Sequence, residues 1–328
     1  MVEAKLERDT TSFEAGIIAC GSCEQWQQAL ALFREMCDSN MQPSVSGFNV
    51  AIGAVKASGQ WPQAMWLLRE MSITKVESDV ISFAGTMHAC EKCGQWQHAL
   101  ALLRDLVEGK LEPDVISYCI ALSACNKGGE WQHAVALLRQ MCEYNLELDA
   151  MSQTITMSTC VRWGQWQQAA LLFDELRDSR IELNTVAYGL GVNVCKQSGQ
   201  WLQALLLLRD VQESRLELDI TTYISAVSAC QKGGQWQHAL SVLMDSREAE
   251  LDIELNSYSA GIIACQKGGQ WRQALLLLRD LLEDNVEPDI ICCGAGVSAC
   301  EWAGQGRQAL ALLGLMAACS RLRHHVGS

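Results

Sequence analysis

Proline is scarce in this chain, with four residues in 328, and one-ring aromatics are few, with five Phe and five Tyr. Alongside 25 Gly and 49% hydrophobic residues, that scarcity excludes a collagen-like or disordered composition. No apolar run approaches the ~20 residues of a membrane-spanning helix. Basic residues are in deficit, 25 Lys and Arg against 38 Asp and Glu, for a formal charge of −13. That balance argues against a generic nucleic-acid coat. No phosphate loop, nucleophile elbow or paired-carboxylate constellation is present. The expectation is therefore a protein that is not an enzyme and has no cofactor and no small-molecule substrate. One hydrophobic core rarely grows to this size, which leaves two domains or a repeat array.

What the sequence does have is a period. Gly-Gln-Trp-x-x-Ala recurs around Trp26, Trp61, Trp96, Trp131, Trp166, Trp201, Trp236 and Trp271, each 35 residues after the last. A ninth copy carries Gly306 in place of Trp. Framed sixteen residues ahead of each Trp, the repeats open at Thr10, Val45, Val80, Val115, Ala150, Thr185, Ile220, Leu255 and Ile290. Nine tandem repeats then occupy 10–324, with a remnant of a preceding repeat at 1–9 and a tail at 325–328. Leu6-Glu7-Arg8-Asp9 matches Leu111-Glu112-Pro113-Asp114, so the chain is expected to begin inside a tenth repeat.

Each repeat reads as two helices. In the fourth, the apolar segment Ile116–Cys125 is stopped by Gly128-Gly129. Trp131, Ala134, Leu137, Leu138 and Met141 then fall at helical spacing and predict one buried stripe, with Arg139 and Glu143 turned to solvent. One such hairpin cannot bury its apolar face alone, but stacked copies can. One inserted residue would rotate a helix by ~100° and turn its stripe away from the core, which accounts for the fixed length. The expected fold is all-α, a right-handed α-solenoid (superhelix) of helix-turn-helix repeats.

Ser/Thr-Tyr/Phe near the start of the repeat (Ser82-Phe83, Ser117-Tyr118, Thr222-Tyr223, Ser257-Tyr258) and Pro-Asp at its end (Pro113-Asp114, Pro288-Asp289) resemble the pentatricopeptide repeat family, as a P-type-like array. The sequence departs from that family in the Trp that opens the second helix, in the missing aromatics at Gln153 and Cys293, and in the turn Pro that most repeats lack. The resemblance implies single-stranded RNA as partner, in a chloroplast or mitochondrion, with other RNA-processing proteins. It also implies that the residue after the aromatic and the last residue of the repeat read one base together.

The chemistry of that reading can be argued from the side chains. Uracil and guanine carry an N–H at the middle of the pairing edge, and ionised Asp only accepts. Adenine and cytosine carry a bare nitrogen there, which needs a donor such as Asn. With the family's usage, Asn49/Asp79 resembles a U reader, Thr154/Asn184 an A reader and Ser259/Asp289 a G reader. The other six pairs are not standard. An Asp ahead of a helix is also an ordinary N-cap, so both roles stay open.

Lys92, Lys127, Arg162, Lys232 and Lys267 share one repeat position at the end of the first helix. They are candidate phosphate contacts, or cations that satisfy a helix C-terminus. Apolar Ile81, Ile116, Met151, Val186 and Ile291 sit two residues ahead of the aromatic position and could clamp bases, where Ser46, Thr221 and Asn256 would not. Eight of the sixteen Cys share one position (Cys20, Cys90, Cys125, Cys160, Cys195, Cys230, Cys265, Cys300), which reads as packing. The Cys20/Cys23 and Cys90/Cys93 pairs lie two repeats apart, ~20 Å at ~10 Å per helix layer, too far to share a metal. His98, His133 and His238 recur on the second helix and are expected in solvent. The acidic balance and the irregular pairs keep an alternative open, a protein- or peptide-binding α-solenoid scaffold without RNA specificity.

Overall fold

The computed structural model describes residues 10–311, apart from 24, 40, 42, 110, 145, 147, 148, 179–182, 215, 250–254 and 285. The expected remnant at 1–9, the tail at 325–328 and the last residues of the ninth repeat lie outside the described residues. Two compact units divide the chain. Met1–Trp163 holds α1 (Thr10–Ser22), α2 (Trp26–Asp38), α3 (Val45–Ala57), α4 (Trp61–Ile73), α5 (Val80–Lys92), α6 (Trp96–Glu108), α7 (Val115–Gly128), α8 (Trp131–Glu143) and α9 (Ala150–Arg162). Gly164–Ser328 holds α10 (Trp166–Asp178), α11 (Thr185–Ser198), α12 (Trp201–Glu213), α13 (Ile220–Lys232), α14 (Trp236–Glu248), α15 (Leu255–Lys267), α16 (Trp271–Glu283) and α17 (Ile290–Trp302). Residues 306–311 are helical too. Among the described residues there is no strand, and no helix is long and apolar enough to cross a membrane.

Odd-numbered helices are the first helices of their repeats. Within each unit a first helix packs on its own second helix and on the next first helix, and a second helix also packs on the next first helix. The apolar stripes are what bury. Tyr258, Ile262 and Cys265 of α15, Ala274, Leu278 and Leu281 of α16, and Cys292, Ala295 and Ala299 of α17 form one cluster. The recurrent Cys lies in that layer: from Cys90 to Cys300, all seven are buried. Burial pushes the thiols up, to about 12 at Cys90 and Cys125 and about 11 at Cys160, Cys195, Cys230 and Cys265. They are packing groups and carry no thiolate at neutral pH.

The Gly-Gln-Trp motif makes the turn between the two helices. Its Gly is left-handed in every described copy, with φ between 67° and 82° from Gly59 to Gly304. The Gln N–H then reaches back to the carbonyl of the recurrent Cys, as in Gln95 N to Cys90 O at 2.9 Å and Gln305 N to Cys300 O at 2.8 Å. This closes the first helix as a Schellman turn, in which glycine avoids the Cβ clash.

The Trp locks one repeat to the next. A Cβ on Gly128 would lie 2.2 Å from Trp96 Cδ1, one on Gly233 2.3 Å from Trp201, and one on Gly268 2.3 Å from Trp236. The indole therefore lies on the bare backbone of the following first helix. The predicted stripe places Trp131 with the buried residues, yet the opening Trp of every second helix is only half-buried, because it covers an edge between repeats. His133 and His238 are exposed, as expected, and His98 is half-buried. Each ring lies tilted against the Trp of the repeat before it, with centroids 4.7, 5.3 and 5.1 Å apart.

Candidate nucleic-acid interface

The last residue of each repeat caps the following first helix. Asp79, Asp114, Asp149, Asp219 and Asp289 accept the backbone N–H three residues on through Oδ1, at 2.7–3.1 Å. Asn184 accepts from Ala187 N at 2.8 Å through its Oδ1, and Ser44 from Gly47 N at 3.1 Å. The N-cap role therefore holds at every described copy of this position. Capping does not exclude a second role, because the cap uses one atom of a two-atom head. In Asp114 and Asp149 the other oxygen has no partner among the described residues. In Asn184 the cap takes the carbonyl oxygen and leaves the NH₂ as the outer group. The same cap thus presents an acceptor when the residue is Asp and a donor when it is Asn.

The two candidate reading positions meet across adjacent first helices. Asn49 Nδ2 lies 3.2 and 3.1 Å from the two Asp79 oxygens. In the first repeat Ser44 Oγ donates to Glu14 Oε1 at 3.2 Å. Burial works against the charge of Asp79, but hydrogen bonds from Ser82 and Asn49 outweigh it and hold the carboxyl below the usual carboxylate range. Burial likewise opposes Asp219, and the Thr221 and Thr222 bonds bring it down. Cys119, paired by position with Asp149, has its thiol raised to about 11 by burial and then by the nearby Asp149 and Asp114 charges.

The other readers differ in freedom. Thr154 is buried and its hydroxyl donates to the Ala150 carbonyl. Asn184 is exposed, and lies in Gly164–Ser328 whereas Thr154 lies in Met1–Trp163. Ser259 donates to the Leu255 carbonyl at 2.8 Å and meets Cys292 Sγ at 2.9 Å. Glu254 and His324, the closing members of the seventh and ninth pairs, lie outside the described residues.

The basic position is partly engaged by protein. Lys92 Nζ donates to the Ala57 carbonyl at 2.8 Å and Lys232 Nζ to the Gln197 carbonyl at 3.5 Å, each the end of the preceding first helix. Lys127 pairs with Glu91 at 2.7 Å, and Ser123 Oγ adds a bond to the same carboxylate oxygen at 2.8 Å. Burial raises Glu91 and these two partners more than reverse it, so Glu91 stays ionised. Arg162 and Lys267 are exposed and have no partner among the described residues. Ile81, Ile116, Met151, Val186 and Ile291 are 59–66% exposed, large apolar groups held in water at one repeated place.

Two further polar clusters join neighbouring repeats. One is Glu91–Ser123–Lys127. The other joins Arg247 to Tyr258 Oη at 2.6 Å and to Asp284 at 2.8 Å, with the Tyr258 hydroxyl also donating to Asp284. Glu91 lies 32 and 36 residues from Ser123 and Lys127, and Arg247 lies 37 from Asp284, each close to one period, and that spacing is the trace these contacts leave. Among the described residues no three His, Cys, Asp or Glu are placed to hold a metal.

Comparison with known proteins agrees with this geometry at the level of fold. The family described as pentatricopeptide repeat domain matches residues 66–128 and 206–267. The family described as PPR repeat matches residues 17–41 and 116–146. The crystal structure of pentatricopeptide repeat protein PPR10 from maize superposes with a TM-score of 0.77 at 14% identity, over 99% of this chain and 46% of that one. This chain thus spans about half the length of that protein. The same protein in complex with an 18-nt psaJ RNA element gives a TM-score of 0.45 at 18% identity, over 95% of this chain and 54% of that one. The PPR domain of Arabidopsis thaliana protein-only RNase P 1, in complex with tRNA, gives 0.44 at 15% identity, over 52% of this chain and 86% of that one. No curated protein sequence matches the chain.

Proposed function

The chain belongs to the pentatricopeptide repeat family, and from that premise we propose that it is a sequence-biased single-stranded RNA-binding adaptor. Its setting is organelle RNA processing, stability or translation, in a chloroplast or mitochondrion, with each repeat addressing one base. It acts by covering RNA or by recruiting other RNA-processing proteins, with no bond chemistry of its own.

The observation that carries this reading is the Asn49–Asp79 pair. A capped carboxylate with an amide N–H donor 3.1 Å away is an acceptor beside a donor. Uracil offers a ring N–H beside a carbonyl, the complementary order, while cytosine would set its bare ring nitrogen against the carboxylate. At Asn184 the outer NH₂ suits the ring nitrogen of adenine. Asp289 with Ser259 suits guanine. The exposed apolar row from Ile81 to Ile291 supplies faces against which bases can stack, and stacking is tolerant of sequence.

Selection of the full chain on a random single-stranded RNA pool tests the proposal. Enrichment of U, A and G three nucleotides apart, set by the second, fifth and eighth repeats, is expected, and a flat base composition among bound RNAs refutes it. A peptide-binding scaffold is the second reading. It is favoured by the charge of −13 and by the carbonyl and carboxylate contacts that Lys92, Lys127 and Lys232 already make.

A further inference from the structure

The capping Asp residues are not all held alike. Ser82 grips Asp79 Oδ1 twice, with its backbone N–H at 2.8 Å and its hydroxyl at 2.7 Å. Ser117 does the same to Asp114 at 2.8 and 2.7 Å, and Thr222 to Asp219 at 3.1 and 2.5 Å. Elsewhere the second grip is missing or different. Ser152 turns its hydroxyl to the Asp149 backbone carbonyl at 3.0 Å. Ala187 has no hydroxyl for Asn184, and Cys292 offers Asp289 a thiol in its place.

Ser82 has a further contact. Its Oγ lies 2.6 Å from Asn49 Oδ1 as well as 2.7 Å from Asp79 Oδ1. Two acceptors, one from each candidate reader, thus converge on a single buried hydroxyl. The hydroxyl, with one proton to share between them, helps to hold the Asn49 oxygen on that side. With its oxygen so held, its NH₂ lies toward Asp79. Without the hydroxyl, Asn49 Oδ1 loses that donor and the amide is held only through its NH₂ bonds to Asp79. The pair then loses the fixed side-by-side order of acceptor and donor that uracil needs.

We propose that Ser82, Ser117 and Thr222 are positioning residues for base recognition, and that their hydroxyls fix which polar atom each capping Asp presents. This rests on the base-reading proposal above. It predicts that sharpness of recognition follows the third residue of each first helix as well as the two reading residues. Repeat six is the instructive exception. Thr222 holds Asp219 Oδ1, but Oδ2 is taken at 2.5 Å by Thr221, which is not a reading residue, whereas Asp79 Oδ2 meets only its reading partner Asn49. Repeat six, in which Gly189 brings no polar side chain to Asp219, should therefore discriminate poorly.

The test uses the full chain and its S82A and S82T variants, each selected on the same random single-stranded RNA pool, with thermal unfolding followed in parallel. Position is set by the A and G enriched three and six nucleotides away. We expect the U-to-C ratio at the second repeat to fall about fivefold or more in S82A, as for loss of one charge-assisted hydrogen bond within the reading pair. S82T should retain the wild-type ratio, because Thr222 shows the same bond made by threonine. Enrichment at the fifth and eighth repeats should not move in either variant. If wild type shows U enrichment and S82A keeps it, the positioning role is overturned and the reading proposal stands. Equal loss in S82A and S82T also overturns it, since packing and not the hydroxyl would then be responsible. Absence of any preference in wild type overturns both.

Discussion

The contact between Trp96 and Gly128 is the sharpest place to test how one repeat is fastened to the next. Gly128→Ala places a Cβ 2.2 Å from Trp96 Cδ1, 2.7 Å from Cγ and 3.0 Å from Nε1. Carbon contacts relax at ~3.5–4.0 Å, so the indole must retreat by more than ~1 Å or the two helices must part. Overpacking of this kind costs ~1–3 kcal/mol. Replacing glycine gives back a few tenths to ~1 kcal/mol of helix propensity, least at a helix end such as this. A net loss of about 1–2 kcal/mol is expected, read as a lowered midpoint of urea unfolding by circular dichroism. Gly53→Ala is the control. It lies within α3 with nothing within 4 Å of the new Cβ, and should gain ~0.5–1 kcal/mol. In a Trp96→Ala background the steric cost disappears, and Gly128→Ala should turn neutral or stabilising, a coupling of about 1 kcal/mol or more. If Gly128→Ala stabilises as Gly53→Ala does, or costs the same with and without Trp96, the indole does not fasten the repeats.

Other outcomes follow from the same contacts. Asn184→Asp keeps the cap but exchanges the outer donor for an acceptor, so selected RNA should change from A towards G at the fifth repeat with little change in unfolding midpoint. Glu91→Gln removes the carboxylate paired with Lys127, and RNA affinity should rise with its salt slope steepening by ~0.7, the value for one more cation on a single strand. Five engaged cations would give a slope of about −3.5, and Arg162→Ala or Lys267→Ala should each flatten the slope by ~0.7. Asp79 and Asp219 sit below their unfolded value, so they bind fewer protons folded than unfolded. Their contribution to stability is full above the unfolded value of ~3.9 and is lost as pH falls through the lower folded value. Asp79→Asn, which keeps the cap without a carboxyl, should flatten acid unfolding below pH ~4 relative to wild type.

The period of 35 residues was legible because a helix stripe tolerates no slip, and the recurrent Cys was legible as packing because a small apolar group at one position has few other uses. The helix stop at Gly128-Gly129 followed from residue type alone. Whether an Asp caps or reads was not legible, since both roles use the same side chain, and only the geometry shows that the cap occupies one of its two oxygens. The half-burial of Trp and its contacts with His98, His133 and His238 escaped for another reason. They depend on what the neighbouring repeat presents, and a stripe drawn on one helix does not show it. Gly128, Gly233 and Gly268 each follow a Trp by 32 residues, which is the trace that contact leaves. The basic position read as an even row, yet Lys127 meets Glu91 while Arg162 and Lys267 are unengaged among the described residues, because the acid in reach differs from one repeat to the next.

The central claim is that capping residues, paired with the residue after the aromatic, select bases. The most direct measurement is the base composition of single-stranded RNA retained by the full chain from a random pool at two salt concentrations. The account predicts U, A and G enriched three nucleotides apart at both salts, with total binding weaker at the higher one. Binding that weakens with salt but shows no base preference would contradict it.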